Sequence, residues 1–268
     1  MRLRSIVRRM LPTAWVAAYH RYRETQQNAR NQRLSTEHVF RDIYSNNRWG
    51  GTSGTFFSGS GSHEAAVVRP YVAAVTGELR RIGAAALTIV DLGCGDFSVG
   101  QQITPECGKY IGVDIVKALV DHNGATFGDS NISFVHANIV TDELPGGDIC
   151  LVRQVFQHLS NDQIMAVLPK LDQYGWSFIT EHQPSPSRLS EANKDKPHGG
   201  NIRASQRSGV FLDQPPFNIS KGRYRLLLEV QGTALPGGVD PGVIRTFILE
   251  GDCRHSSGLP ANDKVATN

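Results

Sequence analysis

The sequence predicts an α/β protein with a doubly wound, mostly parallel sheet of seven strands, a C-terminal antiparallel hairpin and an N-terminal helical extension. Five short apolar runs between residues 87 and 181 are rich in β-branched or aromatic residues. Several of them are apolar on both faces, as is typical of strands that helices cover on both sides. Helical stretches separate these runs, and strands that alternate with helices form parallel sheets. Two further runs near the C-terminus are expected to close the sheet as a hairpin.

Residues 1–33 form a basic arm with eight arginines and one acid, Glu24. Its net charge is therefore +7, which leaves −4 for the rest of a chain whose total is +3. The apolar stretch 10–18 is interrupted by Pro12 and is shorter than the ~20 residues that cross a bilayer. Two interpretations stay open: a solvated arm, or a segment that lies on an anionic membrane surface. The second would use three aromatic residues, Trp15, Tyr19 and Tyr22.

Residues 34–84 are predicted to form a helical, glycine- and serine-rich cap segment. A short helix spans 34–46 with Ser35 as its N-cap, and a second covers 63–82, kinked at Pro70 or beginning near it. Between them, residues 46–62 combine many glycines and serines with three aromatic residues, Trp49, Phe56 and Phe57. Flexible linkers rarely carry such residues, so we expect an ordered loop that covers part of the molecule.

Residues 85–255 contain the predicted sheet. Its strands are expected at 87–92, 109–115, 132–137, 147–152, 176–181, 223–230 and 242–250. The clearest helix begins at Ser160, with Gln163 in the register of a capping box. Residues 183–220 hold five prolines without periodicity, which indicates a long loop that is functional or disordered. Residues 256–268 are predicted to be a disordered tail.

The four cysteines, at positions 94, 107, 150 and 253, have neither a CxxC spacing nor that of a metal site. They are typical of reduced cysteines in a cytosolic protein, and we expect no metal. Because the body of the chain is acidic, it offers no broad basic face for nucleic acid. We therefore expect a cytoplasmic protein, with residues 1–33 as the candidate for peripheral contact with the inner face of the membrane.

The most informative segment is "TIVDLGCGDFSVG", residues 88–100, in which a strand enters a glycine turn. Gly93 and Gly95 let a ligand approach the backbone closely. A nicotinamide-binding turn would place a third glycine where Ser98 stands, and no lysine of a P-loop is present. Asp91 and Asp96 flank the turn, and carboxylates there would repel a diphosphate.

A further acid, Asp114, ends the second strand 19 residues after Gly95. Ligands of doubly wound sheets bind beyond the carboxyl ends of the strands, where a carboxylate can accept both ribose hydroxyls. Together with the acids of the turn, this position predicts an adenosyl ligand that lacks phosphates.

These motifs resemble those of the class I S-adenosylmethionine-dependent methyltransferases, which have a Rossmann-like fold. Asp91, Gly93 and Gly95 match the first motif, Asp114 the second, and Asn138 the third, where the family more often has Asp. The segment "DICLVRQVFQHLS", residues 148–160, resembles the fourth. The resemblance implies S-adenosylmethionine as cofactor. It also implies a set of cofactor-binding residues: Asp91, Gly93, Cys94, Gly95, Asp96, Asp114, Ile115, Asn138, Ile139, Arg153 and Gln154. The flanking segments resemble bacterial methyltransferase-domain proteins of the cell-surface polysaccharide type.

In this fold the carboxyl ends of strands four and five face the methyl group. The candidate catalytic residues are therefore Glu181, His182 and His158, although a packing role for His158 stays open. We expect residues 183–220 to form an acceptor lid. The candidate acceptor-binding residues are Trp49, Phe57, His198 and Arg203. The expected reaction is methyl transfer to a hydroxyl, or less readily an amine, of a small molecule or saccharide.

Two other function classes stay open at this point. One is a non-catalytic protein that binds an adenosyl ligand, and the other is an NAD(P)-dependent oxidoreductase, which Ser98 and the acids of the turn disfavour. A nucleic-acid methyltransferase is disfavoured as well, because no base-flipping motif follows the fourth strand. The sequence carries no indication of the oligomeric state.

Overall fold

The computed structural model describes residues 13–52, 54–232 and 241–251. Five α-helices lie in this part of the chain: α1 (Thr13–Asn31), α2 (Thr36–Ser45), α3 (Ala65–Arg81), α4 (Lys117–Phe127) and α5 (Asn161–Val167). The strands are β1 (Thr88–Leu92), β2 (Lys109–Asp114), β3 (Ile132–His136), β4 (Ile149–Arg153), β5 (Trp176–Gln183), β6 (Tyr224–Gln231) and β7 (Val243–Glu250). The first part of the basic arm, Cys253 and the tail 256–268 lie outside the described residues.

The seven strands form one sheet in the order β3-β2-β1-β4-β5-β7-β6. Strands β1 to β5 are parallel, whereas β7 is antiparallel to both β5 and β6. The predicted fold class is therefore confirmed, including the C-terminal hairpin. The chain reverses its direction across the sheet between β1 and β4, which is where doubly wound sheets bind ligands.

Apolar cores lie on both faces of the sheet, because successive side chains of a strand point to opposite sides. In β1, Val90 and Leu92 pack into one core with Val152 of β4. Ile89 packs into the other, together with residues of α3 and with Phe178 of β5. All eight residues of β5 are buried. This two-sided burial explains why these strands are continuous apolar runs rather than alternating ones.

The helix starts follow the capping signals. At α2, the Ser35 hydroxyl accepts a hydrogen bond from the His38 N–H at 3.2 Å. At α5, Ser160 and Gln163 form the complete capping box. Pro70 lies inside α3 rather than at its start. Both predicted N-caps are therefore confirmed.

The expectation of a helix between successive strands fails at two places within the described residues. The connection from β1 to β2 contains two short 3₁₀ turns, Gly100–Gln102 and Thr104–Glu106, and the connection from β3 to β4 contains no helix. In the second connection Pro145, Gly146 and Gly147 follow one another, and proline and glycine are the two residues least favourable to a helix interior.

The N-terminal part of the chain packs over the carboxyl ends of the strands. Residues of α2 form a third apolar cluster with Val116 and Leu119, at the start of α4. The helix α1 begins inside the predicted basic arm, and its three aromatic residues Trp15, Tyr19 and Tyr22 are exposed. In the described part of the chain, no helix has both the length and the apolar character needed to cross a membrane.

Candidate functional site

A cleft opens at the carboxyl ends of β1 to β4, beneath α2 and the loop that follows it. Eight of the predicted cofactor-binding residues line it: Gly93, Gly95, Asp114, Ile115, Asn138, Ile139, Arg153 and Gln154. The other three, Asp91, Cys94 and Asp96, line a smaller recess that shares the glycine turn with the cleft. The structure therefore brings the predicted set together around one turn.

The glycine turn needs both of its glycines. Gly93 has φ +76° and Gly95 has φ +56°, values that side-chain-bearing residues rarely adopt. A Cβ on Gly93 would lie 2.5 Å from Cγ2 of Val155, and one on Gly95 would collide with the Ser58 hydroxyl. The turn is tied to β2, since the N–H groups of Gly93 and Cys94 donate to the Val113 carbonyl at 2.8 and 3.0 Å.

Asp114 ends β2 with a buried carboxylate beside this turn. Its Oδ2 accepts the Gly95 N–H at 3.2 Å, and its Oδ1 accepts the Val116 N–H at 3.0 Å. Burial raises the pKa of Asp114, and the backbone N–H donors partly offset that rise. Since a carboxylate has about four acceptor positions, Asp114 keeps acceptor capacity for a ligand hydroxyl.

Asp91 and Arg153 lie on neighbouring strands at the recess. The Tyr110 hydroxyl donates to Asp91, whose pKa is raised to about 6 because burial outweighs this bond and the nearby Arg153. The Arg153 guanidinium lies 4.8 Å from the ring centroid of Tyr71 and donates to the Gly61 carbonyl at 2.6 Å. Its buried Nε has no acceptor among the described residues. One N–H donor of this buried cation is therefore left without a partner in the described structure.

The glycine- and serine-rich segment is an ordered loop against the turn. The Ser58 N–H donates to Asp96 at 2.7 Å, and the Asp96 N–H donates to the Ser58 hydroxyl at 2.8 Å. His63 lies 2.8 Å from the same carboxylate. Burial acts to raise the pKa of Asp96, but the hydrogen bonds from Ser98, Ser58 and His63 together lower it. Asp96 therefore stays ionised and fixes the loop over the turn.

At the far end of the cleft, Asn138 follows β3. The side-chain Oδ1 of Asn138 accepts the Val140 N–H at 3.0 Å, and the backbone N–H of Asn138 donates to the Asp142 carboxylate at 2.9 Å. The side chain thus shapes the turn and keeps one further acceptor position on Oδ1. Buried Ile139 supplies the adjacent apolar wall.

His158 also lines the cleft, against the aromatic side chains of Phe40 and Trp49. Its Nδ1 lies 3.0 Å from the Gly199 carbonyl, which can only accept, so Nδ1 carries the proton and Nε2 accepts from the Gln157 side-chain amide at 3.4 Å. Burial and the nearby Lys196 lower the pKa of His158 to about 3, although the bond to Gly199 opposes this. The imidazole is therefore neutral near pH 7 and is a weak base.

We expect His158 to make the folded protein sensitive to acid. An unfolded histidine takes up a proton below about pH 6.5, whereas the folded one stays neutral until about pH 3. The folding stability that the neutral His158 contributes is complete above about pH 6.5 and is lost as the pH falls below that value. Between pH 7.5 and 5.5, wild type should lose about 1 kcal/mol more unfolding free energy than His158→Gln. Urea unfolding of both proteins at the two pH values measures this, and equal losses would contradict a neutral buried imidazole.

Glu181 and His182, predicted as catalytic, are buried on β5 and do not line the cleft. The Glu181 carboxylate accepts the N–H groups of Phe156 and Gln157 at 2.8 and 3.0 Å. Burial raises the pKa of Glu181 to about 8 despite these donors and the nearby Arg203. Glu181 holds the turn that carries Val155 and His158 into the cleft, which is a positioning role.

His182, the next residue of β5, has a different partner. Its ring contacts the Pro241 carbonyl in the connection between β6 and β7.

Replacing Glu181 with Gln should destabilise the protein above about pH 8, where the Glu181 carboxyl group is ionised and both of its oxygens accept. The amide has one acceptor oxygen, so its NH₂ group would face a backbone N–H at Phe156 or Gln157. An unsatisfied buried donor costs about 1–3 kcal/mol, and we expect that loss in urea unfolding. Exposed Glu143→Gln, which changes the same side chain on the surface, should stay within about 0.5 kcal/mol of wild type. A Glu181→Gln variant as stable as this control would show that the turn does not depend on the carboxylate.

Of the four predicted acceptor-binding residues, Trp49 alone lines the cleft in the described structure. Phe57 stacks on His63, with the ring centroids 4.1 Å apart. The His198 ring contacts the Leu34 carbonyl at 3.1 Å. Arg203 is fully buried and donates to the carbonyls of Lys194 and Leu159. The last three residues thus hold the long loop and the cap segment in place.

Further residues that line the cleft were not predicted from the sequence. Phe40 and Tyr44, four residues apart on α2, line the cleft, as do Ser58 and Ser62 of the loop. The apolar stripe of a short helix is the usual sign of core packing, and it does not show which end of a sheet the helix covers. The loop residues lie close to the glycine turn because Ser58 pairs with Asp96, 38 positions away in the chain.

Comparison with known proteins supports the fold and no closer relationship. No protein-family model matches the chain, and no curated protein matches it. Magnesium protoporphyrin IX methyltransferase from Synechocystis PCC 6803, with bound S-adenosylhomocysteine, is 13% identical, with a TM-score of 0.51 over 81% of this chain and 100% of that chain.

Two further solved structures are equally distant in sequence. Burkholderia thailandensis 1,6-didemethyltoxoflavin-N1-methyltransferase, bound to 1,6-didemethyltoxoflavin and S-adenosylhomocysteine, is 13% identical, with a TM-score of 0.53 over 81% of this chain and 87% of that chain. Human N-acetylserotonin methyltransferase in complex with S-adenosylmethionine is 13% identical, with a TM-score of 0.50 over 81% of this chain and 60% of that chain. The chain therefore spans less than two thirds of the human protein. At these identities the comparison establishes one point: the chain has the Rossmann-like fold of these S-adenosylmethionine-dependent methyltransferases.

Proposed function

We propose that this protein is an S-adenosylmethionine-dependent methyltransferase that acts on a hydroxyl of a small molecule or saccharide. An amine is the less favoured acceptor. The observation that carries the proposal is the position of Asp114, whose buried carboxylate lies against the Gly95 N–H in a cleft at the reversal point of the sheet. That arrangement suits the ribose of an adenosyl ligand.

The residues of the cleft fit this cofactor. The glycine turn leaves room that a Cβ on Gly93 or Gly95 would fill. Asp114 would bind the two ribose hydroxyls, and Asn138 with Ile139 would enclose the adenine. The unpaired Nε of Arg153 would bind the carboxylate of the amino-acid part. The ionised Asp96 disfavours a diphosphate at the turn, which argues against a nicotinamide ligand.

When bound, S-adenosylmethionine supplies a methyl group on a sulfonium for in-line displacement. The protein's own contribution is alignment, since such a displacement depends on the orientation of its reactants. Gln154, held at φ +56°, and Val155 close the cleft at the end of β4. Trp49 and Phe40 line it from the cap segment, so the acceptor would enter between these two sides.

His158 would contact the acceptor rather than remove its proton. The Gln157 side-chain amide already lies 3.4 Å from its Nε2, and a pKa of about 3 makes the imidazole too weak a base to hold a proton near pH 7. Glu181 is engaged by two backbone N–H groups behind the cleft. We therefore propose that the acceptor proton leaves to solvent and that alignment provides most of the rate enhancement.

Two structural neighbours have small-molecule substrates in their names, N-acetylserotonin and 1,6-didemethyltoxoflavin. They support a small-molecule acceptor, while a saccharide acceptor rests on the sequence resemblance alone. A cytoplasmic location and membrane contact through residues 1–33 stay predictions.

Calorimetric titration with S-adenosylhomocysteine, and with NADH and NADPH in parallel, tests the cofactor. We expect micromolar binding of the adenosyl ligand alone. Binding of a nicotinamide instead, or of none of the three, would refute the proposal. A methyl-labelled donor then tests turnover against hydroxylated small molecules and saccharides, with amines, protein and nucleic acid as comparison acceptors. Binding without turnover on any acceptor would favour the non-catalytic alternative.

A further inference from the structure

A second cavity of about 790 Å³ lies beside the cleft. It is half open to solvent and is lined by residues of α1, α2 and the long loop that follows β5. Trp49 lines both the cavity and the cleft. The two spaces are also linked through one residue pair: Gly199 lines the cavity, and its N–H donates to the carbonyl of His158 at 2.9 Å. Trp49 and this residue pair therefore lie at the boundary between the two spaces.

The wall of the cavity has an excess of positive charge. Four cations in it form no ion pair with a carboxylate of the described residues: Arg23, Arg188, Lys196 and Arg207. The two acids of the wall are already engaged. Asp42 pairs with Arg48 at 2.7 Å and with Arg30 at 3.4 Å, and Glu24 accepts from Gln206 at 2.6 Å.

Lys196 is the most unusual of these cations, because it is only 4% exposed. Its one described hydrogen bond is a long one, 3.4 Å from Nζ to the Gln157 carbonyl. Burial and the neighbouring Arg203 lower the pKa of Lys196 to about 7, although Asp195 and Glu24 oppose this. A buried ammonium without a counter-ion is costly, and an anion in the cavity would relieve that cost.

We propose that this cavity binds an anionic group of the methyl acceptor, a phosphate or a carboxylate, with Lys196 as its central contact. The inference rests on the proposed function, because it places the acceptor next to the cofactor cleft. The anionic end occupies the cavity while the reactive hydroxyl reaches past Trp49 into the cleft. The loop after β5 contributes Arg188, Lys196 and Arg207 to the cavity wall, so the predicted acceptor lid contacts the acceptor through residues other than His198 and Arg203.

Titration with pyrophosphate and with citrate, at constant ionic strength, tests the site and separates phosphate from carboxylate recognition. We expect at least one of the two anions to bind, and Lys196→Met to weaken that binding about 10-fold or more, as for loss of a charge-assisted hydrogen bond. Lys194→Met is the matched control, since this exposed lysine lies two residues away and outside the cavity wall. It should bind the anion as wild type does.

Arg188→Gln provides a second variant, because the described hydrogen bonds of this residue involve its backbone. It should weaken anion binding in the same direction while melting at the wild-type temperature. Failure of both anions to bind, or equal binding by the Lys196 and Lys194 variants, would overturn the inference.

Titration of the same variants with S-adenosylhomocysteine separates the two proposals. Cofactor binding without Lys196-dependent anion binding refutes the anionic acceptor and leaves the methyltransferase proposal intact. Anion binding without cofactor binding refutes the methyltransferase proposal, and with it the description of the anion as part of a methyl acceptor.

Discussion

Asp114→Ala should weaken the binding of S-adenosylhomocysteine about 100-fold or more. Two ribose hydroxyls would lose a charged acceptor, and each such hydrogen bond contributes about 1.5–3 kcal/mol. The Gly95 N–H would also lose its partner, so the glycine turn would be held less firmly. Calorimetry on wild type and variant measures the change directly. The expected loss of affinity is large because Asp114 would bind the ligand and also holds the glycine turn.

Two further variants make this result interpretable. Asp121→Ala removes an exposed carboxylate from α4, where it pairs with Lys117, and should leave the affinity unchanged. Asp114→Asn keeps one acceptor oxygen and should fall between wild type and Asp114→Ala. Thermal melting shows whether each variant is folded. An Asp114→Ala protein that is folded and binds S-adenosylhomocysteine within about threefold of wild type would remove the main support for an adenosyl site.

Gly93→Ala should lower the unfolding free energy by about 2–4 kcal/mol. This figure adds the cost of a left-handed backbone conformation for alanine to the cost of overpacking. The new Cβ would lie 2.5 Å from Cγ2 of Val155, so Val155 would have to move. Because Val155 lines the cleft, the affinity for S-adenosylhomocysteine should fall as well. Urea unfolding and calorimetry measure the two effects separately.

Gly77→Ala is the matched control for this substitution. Gly77 lies in α3, where an added Cβ meets no atom within 4 Å apart from the backbone of its own helix and its chain neighbours, so alanine should stabilise the helix by about 0.5–1 kcal/mol. The double variant Gly93→Ala with Val155→Ala removes the collision but not the backbone strain. It should recover part of the cofactor affinity and less of the stability. A Gly93→Ala protein that behaves like Gly77→Ala would show that the turn tolerates a side chain.

Much of the fold could be predicted because its signals are local. The Ser35 and Ser160 caps depend on residues within one helical turn, and the two-sided apolar runs of β1, β4 and β5 follow from burial under helices. The predicted helices between β1 and β2 and between β3 and β4 were wrong, and in the second connection Pro145, Gly146 and Gly147 outweigh the general alternation of strands and helices.

The sequence by itself determined the sheet, the glycine turn and the place of Asp114, because a strand period and a turn conformation are set by neighbouring residues. The tertiary structure alone decided which polar side chains face the cleft. Glu181 was predicted to be catalytic, yet it binds the N–H groups of Phe156 and Gln157, 25 and 24 positions away in the chain. Lys196, in an unpatterned loop, instead lines a cationic cavity. Such placements depend on long-range packing and on the satisfaction of buried polar groups, which no local pattern encodes.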